Sequence, residues 1–246
     1  MNVACDLLVL AAHPDDAEIG CGGTILDSVA RGLSVVIVDM TRGETGTLGT
    51  PELRAEEAAA AAARLGVVER VNLSLPDAGL READPEALRR IVGALRTYRP
   101  RVLLAPVEQD VHPDHVATAK LAQRAFFHAG LAKWEPELGA PSRPELVAHY
   151  FGNDHAAPTF CVDISAYLEA KQEVIACYAS QVSGGADDHR VRKLDVLARA
   201  EARDRYFGAL VGCEAAEPFI VHGALPPVRS GLGALLSSGF SKGGTP

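Results

Sequence analysis

Three continuous apolar runs, each followed by a stretch with helical patterning, constrain the fold of this chain most. Residues 6–12 (DLLVLAA), 34–39 (SVVIVD) and 101–106 (RVLLAP) show no alternation of apolar and polar positions. Such runs read as strands buried on both faces. Residues 68–73 are a further strand candidate. The stretches between them read as helices. Residues 22–31 are closed by Gly32. The Ala-rich stretch 52–65 follows Pro51 and stops at Gly66, and residues 85–98 lie between Pro85 and Pro100. A helix from about 113 to 130 comes next. Alternating strands and helices mean βαβ units, right-handed crossovers and a mostly parallel sheet. The predicted fold is α/β and Rossmann-like, with helices on both faces of the sheet, in a single domain. A length of 246 residues suits one such domain. Beyond residue 140 the pattern loosens; strands at 146–151, 159–163 and 218–222 and helices at 165–179 and 191–209 are expected. The domain is expected to span 1–225, with the Gly- and Ser-rich residues 226–246 as a loosely ordered tail.

Charge and composition narrow the partners. The net charge of −8 and the pI near 5.5 argue against nucleic acid and against an anionic membrane surface. No apolar run reaches the ~18 residues of a membrane span. Asp6 precedes the apolar stretch Leu7–Ala12 and no basic segment comes before it, so no secretory signal is expected. Cys5, Cys21, Cys161, Cys177 and Cys213 are scattered and form no CxxC. That pattern suits reduced thiols in the cytoplasm.

Two short segments carry the chemistry: Ala12-His13-Pro14-Asp15-Asp16-Ala17-Glu18 and His112-Pro113-Asp114-His115. Each follows a buried strand. In open α/β sheets the functional crevice lies beyond the carboxyl ends of the strands. If the two strands are neighbours, the turns face each other. Histidine and carboxylate are the ligands that zinc takes in catalytic sites, usually three of them plus a water. His13 and Asp16 can reach one ion from a tight turn. His112 and His115 are three apart at a helix start and share a face. One of them can complete the triad, leaving the other for acid or oxyanion work. Asp15, next to a ligand, can take a proton from the metal-activated water. Asp114 is available to keep the free histidine protonated.

Blander readings compete. A single HPDD is also a helix start with an N-capping aspartate. Two such turns after two buried strands favour a metal site. The run Gly20-Cys21-Gly22-Gly23-Thr24, with Asp39 downstream, has some features of a dinucleotide fingerprint. It fails at the third glycine, where Ile25 stands, and it lies eight residues past the strand. Close helix packing under the metal turn is the better reading of these glycines.

In these motifs the chain resembles the PIG-L (LmbE-like) family of zinc-dependent N-acetylglucosaminyl deacetylases, over residues 5–225. The segments are AHPDDAE (12–18), TRGETGTLG (41–49), RAEEAAAAA (54–62), NLSLPDAGL (72–80), HPDHVATA (112–119) and KQEVIACYASQ (171–181). The chain is most similar to the subgroup that deacetylates N-acetylglucosaminyl-malate in bacillithiol biosynthesis. The resemblance implies His13, Asp16 and His115 as zinc ligands, with iron(II) also compatible with a His₂Asp set. It implies Asp15 as general base, His112 as the oxyanion or acid histidine, and Asp114 as its charge partner. It places Arg54 near the group attached to the sugar and Asp77 on sugar hydroxyls. Arg42 is read as a second cation for a malate aglycone and Glu44 as a pocket residue. Some relatives carry a late tyrosine that assists the oxyanion; segment 182–196 has none, and Tyr178 and Tyr206 flank it. The implied enzyme is cytoplasmic, acts on a small N-acetylated sugar, and forms a homo-oligomer such as a hexamer. A phosphoesterase and a non-catalytic Rossmann-like binding protein are the other classes weighed.

Overall fold

The computed structural model of the protein describes residues 4–153, 156–182 and 196–222. Seven strands form one sheet in the order β3-β2-β1-β4-β5-β7-β6. Its central strands are β1 (Leu7–Ala11), β2 (Val35–Thr41) and β4 (Val102–Pro106), the three apolar runs of the sequence. On its two sides β1 pairs in parallel with β2 (Leu7↔Val35) and with β4 (Leu7↔Val102). The strand order therefore reverses at β1 and β4, which is where an open α/β sheet places its crevice. Beyond β2 lies β3 (Glu69–Leu75), and β5 (Leu146–Tyr150) extends the parallel part from β4. The last two strands, β6 (Phe160–Asp163) and β7 (Ala216–Ile220), run antiparallel at the far edge.

Helices cover both faces, as predicted. Alternate residues of the central strands divide into two cores. Leu8, Leu10, Val36, Val38 and Met40 pack under α3 (Pro85–Tyr98) and α4 (Pro113–Ala129). Val9, Ala11, Val35 and Ile37 pack under α1 (Asp16–Ala30), α2 (Pro51–Leu65) and α5 (Leu168–Ile175). Proline opens α2, α3 and α4 at the first turn, where its missing N–H costs nothing.

The expected helix at 22–31 starts earlier, at Asp16, and is broken at Cys21 (φ −146°, ψ 26°). The glycine run thus lies within a bent helix. A Cβ on Gly20 would run into the Tyr150 ring, and one on Gly23 would come within 2.7 Å of Ile164. Close packing accounts for these glycines, and Asp39, the acid of the fingerprint reading, is paired with Arg70 at 2.7 and 2.9 Å. The expected helix 165–179 divides into a single 3₁₀ turn at Ser165–Tyr167, α5, and the short α6 (Ala179–Val182). The last helix, α7, is described over Val196–Val211. Most of segment 182–196 and all of the tail 226–246 lie outside the described residues. Among the described residues no helix is long and apolar enough to cross a membrane.

Candidate metal centre and active-site cleft

Both His-Pro-Asp turns emerge at the carboxyl ends of neighbouring strands, β1 and β4, and meet. The first is held by its own backbone: the His13 N–H donates to Asp16 Oδ2 at 2.8 Å, and the Ile19 N–H to the Asp15 carbonyl at 2.9 Å. In the second, His112 is the N-cap of α4, and its Nδ1 accepts the Asp114 N–H at 3.2 Å. These contacts put the imidazoles of His13, His112 and His115 in one cluster, with centroids 4.6–5.5 Å apart.

Asp16 lies between two of those rings. Its Oδ2 is 3.3 Å from His13 Nδ1 and its Oδ1 is 3.2 Å from His115 Nε2. Each ring is backed by carboxylates on its other nitrogen. His13 Nε2 lies 3.0 Å from Asp77 Oδ1 and 3.3 Å from Asp114 Oδ2, and His115 Nδ1 lies 3.1 Å from Asp110 Oδ2. A histidine whose far nitrogen is oriented by a carboxylate is the usual support for a metal ligand. Burial pulls His13 down, but Asp114, Asp16 and Asp77 outweigh it and hold the ring's pKa at about 12. Burial likewise opposes Asp16 and Asp110 at His115, and its pKa stands at about 10. The surroundings thus favour positive charge between the rings, and a His₂Asp donor set is one that zinc takes. These residues fit a divalent metal: ligand atoms of His13, His112 and His115 lie close enough together to hold one, and the Asp16 carboxylate lies between His13 and His115.

The cluster floors a cleft of about 380 Å³ lined also by Asp15, Thr45, Arg54, Asp77, Tyr150 and Gln181. Asp15 adopts φ 116°, a left-handed conformation that costs a non-glycine residue about 1–3 kcal/mol. The buried Arg54 contacts this turn twice through Nη2, donating to the Pro14 carbonyl and lying 3.1 Å from Asp15 Oδ2. A hydrogen bond involving a charged group contributes ~1.5–3 kcal/mol, enough to offset that strain. Burial pushes the Asp15 carboxyl up, to about 7, and the Arg54 charge opposes this. Burial and the neighbouring His13 and His115 push His112 down. Because His112 Nδ1 accepts a backbone N–H, its neutral tautomer carries the proton on Nε2.

The remaining sequence candidates divide. Asp114 was expected to partner His112; its carboxylate instead faces His13 and accepts the Ala78 and Leu80 N–H groups at 2.8 and 3.1 Å. Within α4 its side chain points back into the protein, toward the 77–80 turn. Asp77 lines the cleft, but its Oδ2 accepts both the N–H and the hydroxyl of Thr45. Arg42 and Glu44 are exposed and are not among the lining residues. Glu44 fastens the loop by accepting the Arg42 and Asp77 N–H groups. Tyr178 is not at the site: its hydroxyl donates to Glu18. Sequence reasoning missed Asp110, whose carboxylate also accepts the His112 and Asn153 N–H groups at 2.8 and 2.9 Å. Its only signal was its place two residues before His112, which a solvated loop aspartate shares.

The PIG-L family profile, described as GlcNAc-PI de-N-acetylase, matches residues 8–126 and so includes both turns. A diacetylchitobiose deacetylase of Thermococcus kodakarensis is 32% identical, over 71% of this chain and 69% of its own. The chain belongs to the PIG-L family. It is therefore an enzyme of an amide-hydrolysing deacetylase family. Another PIG-L relative is a 1D-myo-inositol 2-acetamido-2-deoxy-alpha-D-glucopyranoside deacetylase of Catenulispora acidiphila. It is 29% identical over 73% of this chain and 76% of its own. Among solved structures, a conserved protein of Thermus thermophilus superposes with a TM-score of 0.82. It is 43% identical and covers 92% of this chain and 98% of its own. The likeness thus extends well beyond the residues of the family match, over 92% of this chain.

Proposed function

We propose that this PIG-L protein removes the acetyl group from an N-acetylglucosaminyl substrate, with His13, Asp16 and His115 holding zinc. One observation carries this reading: imidazoles from two opposed turns flank one carboxylate, at 3.3 and 3.2 Å, on the floor of a cleft that Asp15 enters. Zinc in that position supplies Lewis-acid chemistry and makes water more acidic.

The chain's own residues do the rest. Asp15 takes the proton from the attacking water and returns one to the leaving nitrogen as the C–N bond breaks. His112 donates its Nε2–H to the oxygen that gains charge when the acetamide carbonyl is attacked. Asp110, Asp77 and Asp114 fix the histidine rings from behind. Asp114 thus serves the site through His13 and the 77–80 turn. Acetate and a glucosamine leave.

For the substrate, N-acetylglucosaminyl-malate is the finer reading. It is supported by the motif resemblance and by Arg42, which is exposed and has no side-chain ion pair among the described residues. The same reading has the enzyme working in the cytoplasm, with its five cysteines free, and assembling as a homo-oligomer. The domain is taken to span 1–225. The test is a kcat/KM ranking of three conjugates: the malate, the inositol and diacetylchitobiose. The malate is expected to lead by at least about tenfold, ~1.4 kcal/mol in transition-state binding. A lead for either neutral conjugate would retain the deacetylase and discard malate.

A further inference from the structure

Arg54 stands in the cleft with an arginine's usual invitation to a carboxylate, yet its side chain is already engaged. It is 5% exposed. Nη2 makes both contacts to the first metal turn, at the Pro14 carbonyl and at Asp15 Oδ2. Its other side is roofed by the 41–49 loop. A Cβ on Gly43 would stand 2.7 Å from Arg54 Nη1, and one on Gly46 would stand 3.4 Å away. Gly43 has φ +66°, so the loop needs glycine there for its conformation as well as for space. Nε is buried with no partner. An arginine held this way has little freedom to swing out to a ligand.

What it touches is the strained part of the site. Asp15 is the non-glycine residue with the largest positive φ among those described, at 116°. It is also the residue whose carboxylate must face the cleft. The helix that bears Arg54 is anchored near its start: the Thr50 hydroxyl accepts the Leu53 N–H, and Glu57 accepts the Ser180 N–H and hydroxyl at 2.7 Å each. Arg54 therefore reaches Asp15 from a fixed base.

We propose that Arg54 is a positioning residue. Its guanidinium clamps the Pro14–Asp15 turn in its left-handed conformation and aims the Asp15 carboxylate into the cleft; it does not read the group attached to the sugar. The kinetic arm of the test rests on the deacetylase reading, and the structural arm does not.

The variants are Arg54→Lys, which keeps the charge but not the fork, and Arg54→Gln. Turnover is measured on the anionic malate conjugate and on the neutral inositol conjugate. A clamp predicts that kcat falls on both by the same factor, on the order of 10²-fold, with KM little changed, because a displaced catalytic group costs about that much. Added guanidinium should restore part of the kcat of Arg54→Gln on both conjugates. A selective rise in KM for the malate conjugate, with the inositol conjugate turned over as before, overturns the proposal. The structural arm is a crystal structure of Arg54→Gln. Residue 15 should leave the positive-φ region; an unchanged turn also overturns the proposal. If the unmodified enzyme cleaves neither conjugate, the substrate reading fails, and the crystal structure still decides on the clamp.

Discussion

Of the clusters of buried charge that meet helix α1, the one at its start and the one at its break differ in balance. At its start, the metal turns gather Asp15, Asp16, Asp77, Asp110 and Asp114 around three histidines and Arg54. Carboxylates are in excess, the cleft is open, and the Asp15 backbone is strained. At the break in the same helix, Lys171 lies 2.6 Å from both Asp204 and Glu217, and Arg203 lies 2.8 Å from Asp204. There two cations meet two anions, and three of the four side chains are wholly buried. This second cluster caps both sides of the break. Glu217 accepts the Gly23 and Thr24 N–H groups, and Arg203 donates to the Ile19 carbonyl. A balanced, closed cluster of this kind replaces the helix's own missing hydrogen bonds. An unbalanced one beside a cleft is left wanting positive charge, which a metal ion would supply.

The largest expected effect lies in the first cluster. Asp15→Ala should lower turnover by about 10²–10⁴-fold, the span of a general base. Its metal content, measured by elemental analysis, should stay near one equivalent. His13→Ala should lose metal and turnover together. The second cluster should respond in the opposite sense. Lys171→Met leaves Glu217 buried without its cation and Asp204 with Arg203 alone, and should cost ~3–5 kcal/mol in denaturant unfolding. Activity per folded molecule should remain. A Lys171→Met enzyme that is stable but inactive would erase the distinction between the clusters.

Smaller changes sharpen the contrast. Asp110→Asn should weaken metal affinity by roughly 10–100-fold, as loss of a ligand's supporting carboxylate does, with little effect on unfolding. Gly23→Ala, which drives a methyl against Ile164, should cost about 1–3 kcal/mol in stability and leave metal affinity alone.

Much of the first cluster was legible in the sequence, and almost none of the second. The runs at β1, β2 and β4 are apolar at nearly every position and buried at all but Val102, so the sheet and its crevice follow from local pattern. His13, Asp15, Asp16, His112 and His115 lie in two short segments, and the structure brings them together. Lys171, Asp204 and Glu217 are far apart in the chain, and each alone reads as a surface charge; residues 190–205 read as an ordinary amphipathic helix. The break at Cys21 has the same cause, because the groups that cap it come from β7 and α7. The direction of β6 and β7 depends on edge pairing that no local pattern encodes. Asp114 and Arg54 show a further limit. Their positions were evident, but which group each side chain faces depends on the turns at 77–80 and 13–16.

The central claim is that the two opposed His-Pro-Asp turns form a metal-dependent deacetylase site. Its most direct test is acetate release from an N-acetylglucosaminyl conjugate by zinc-loaded enzyme, before and after chelation and then after zinc is restored. The account predicts release that a chelator abolishes, that zinc recovers, and that Asp15→Ala lacks while still binding zinc. Acetate release that persists at full rate in metal-free enzyme would contradict it.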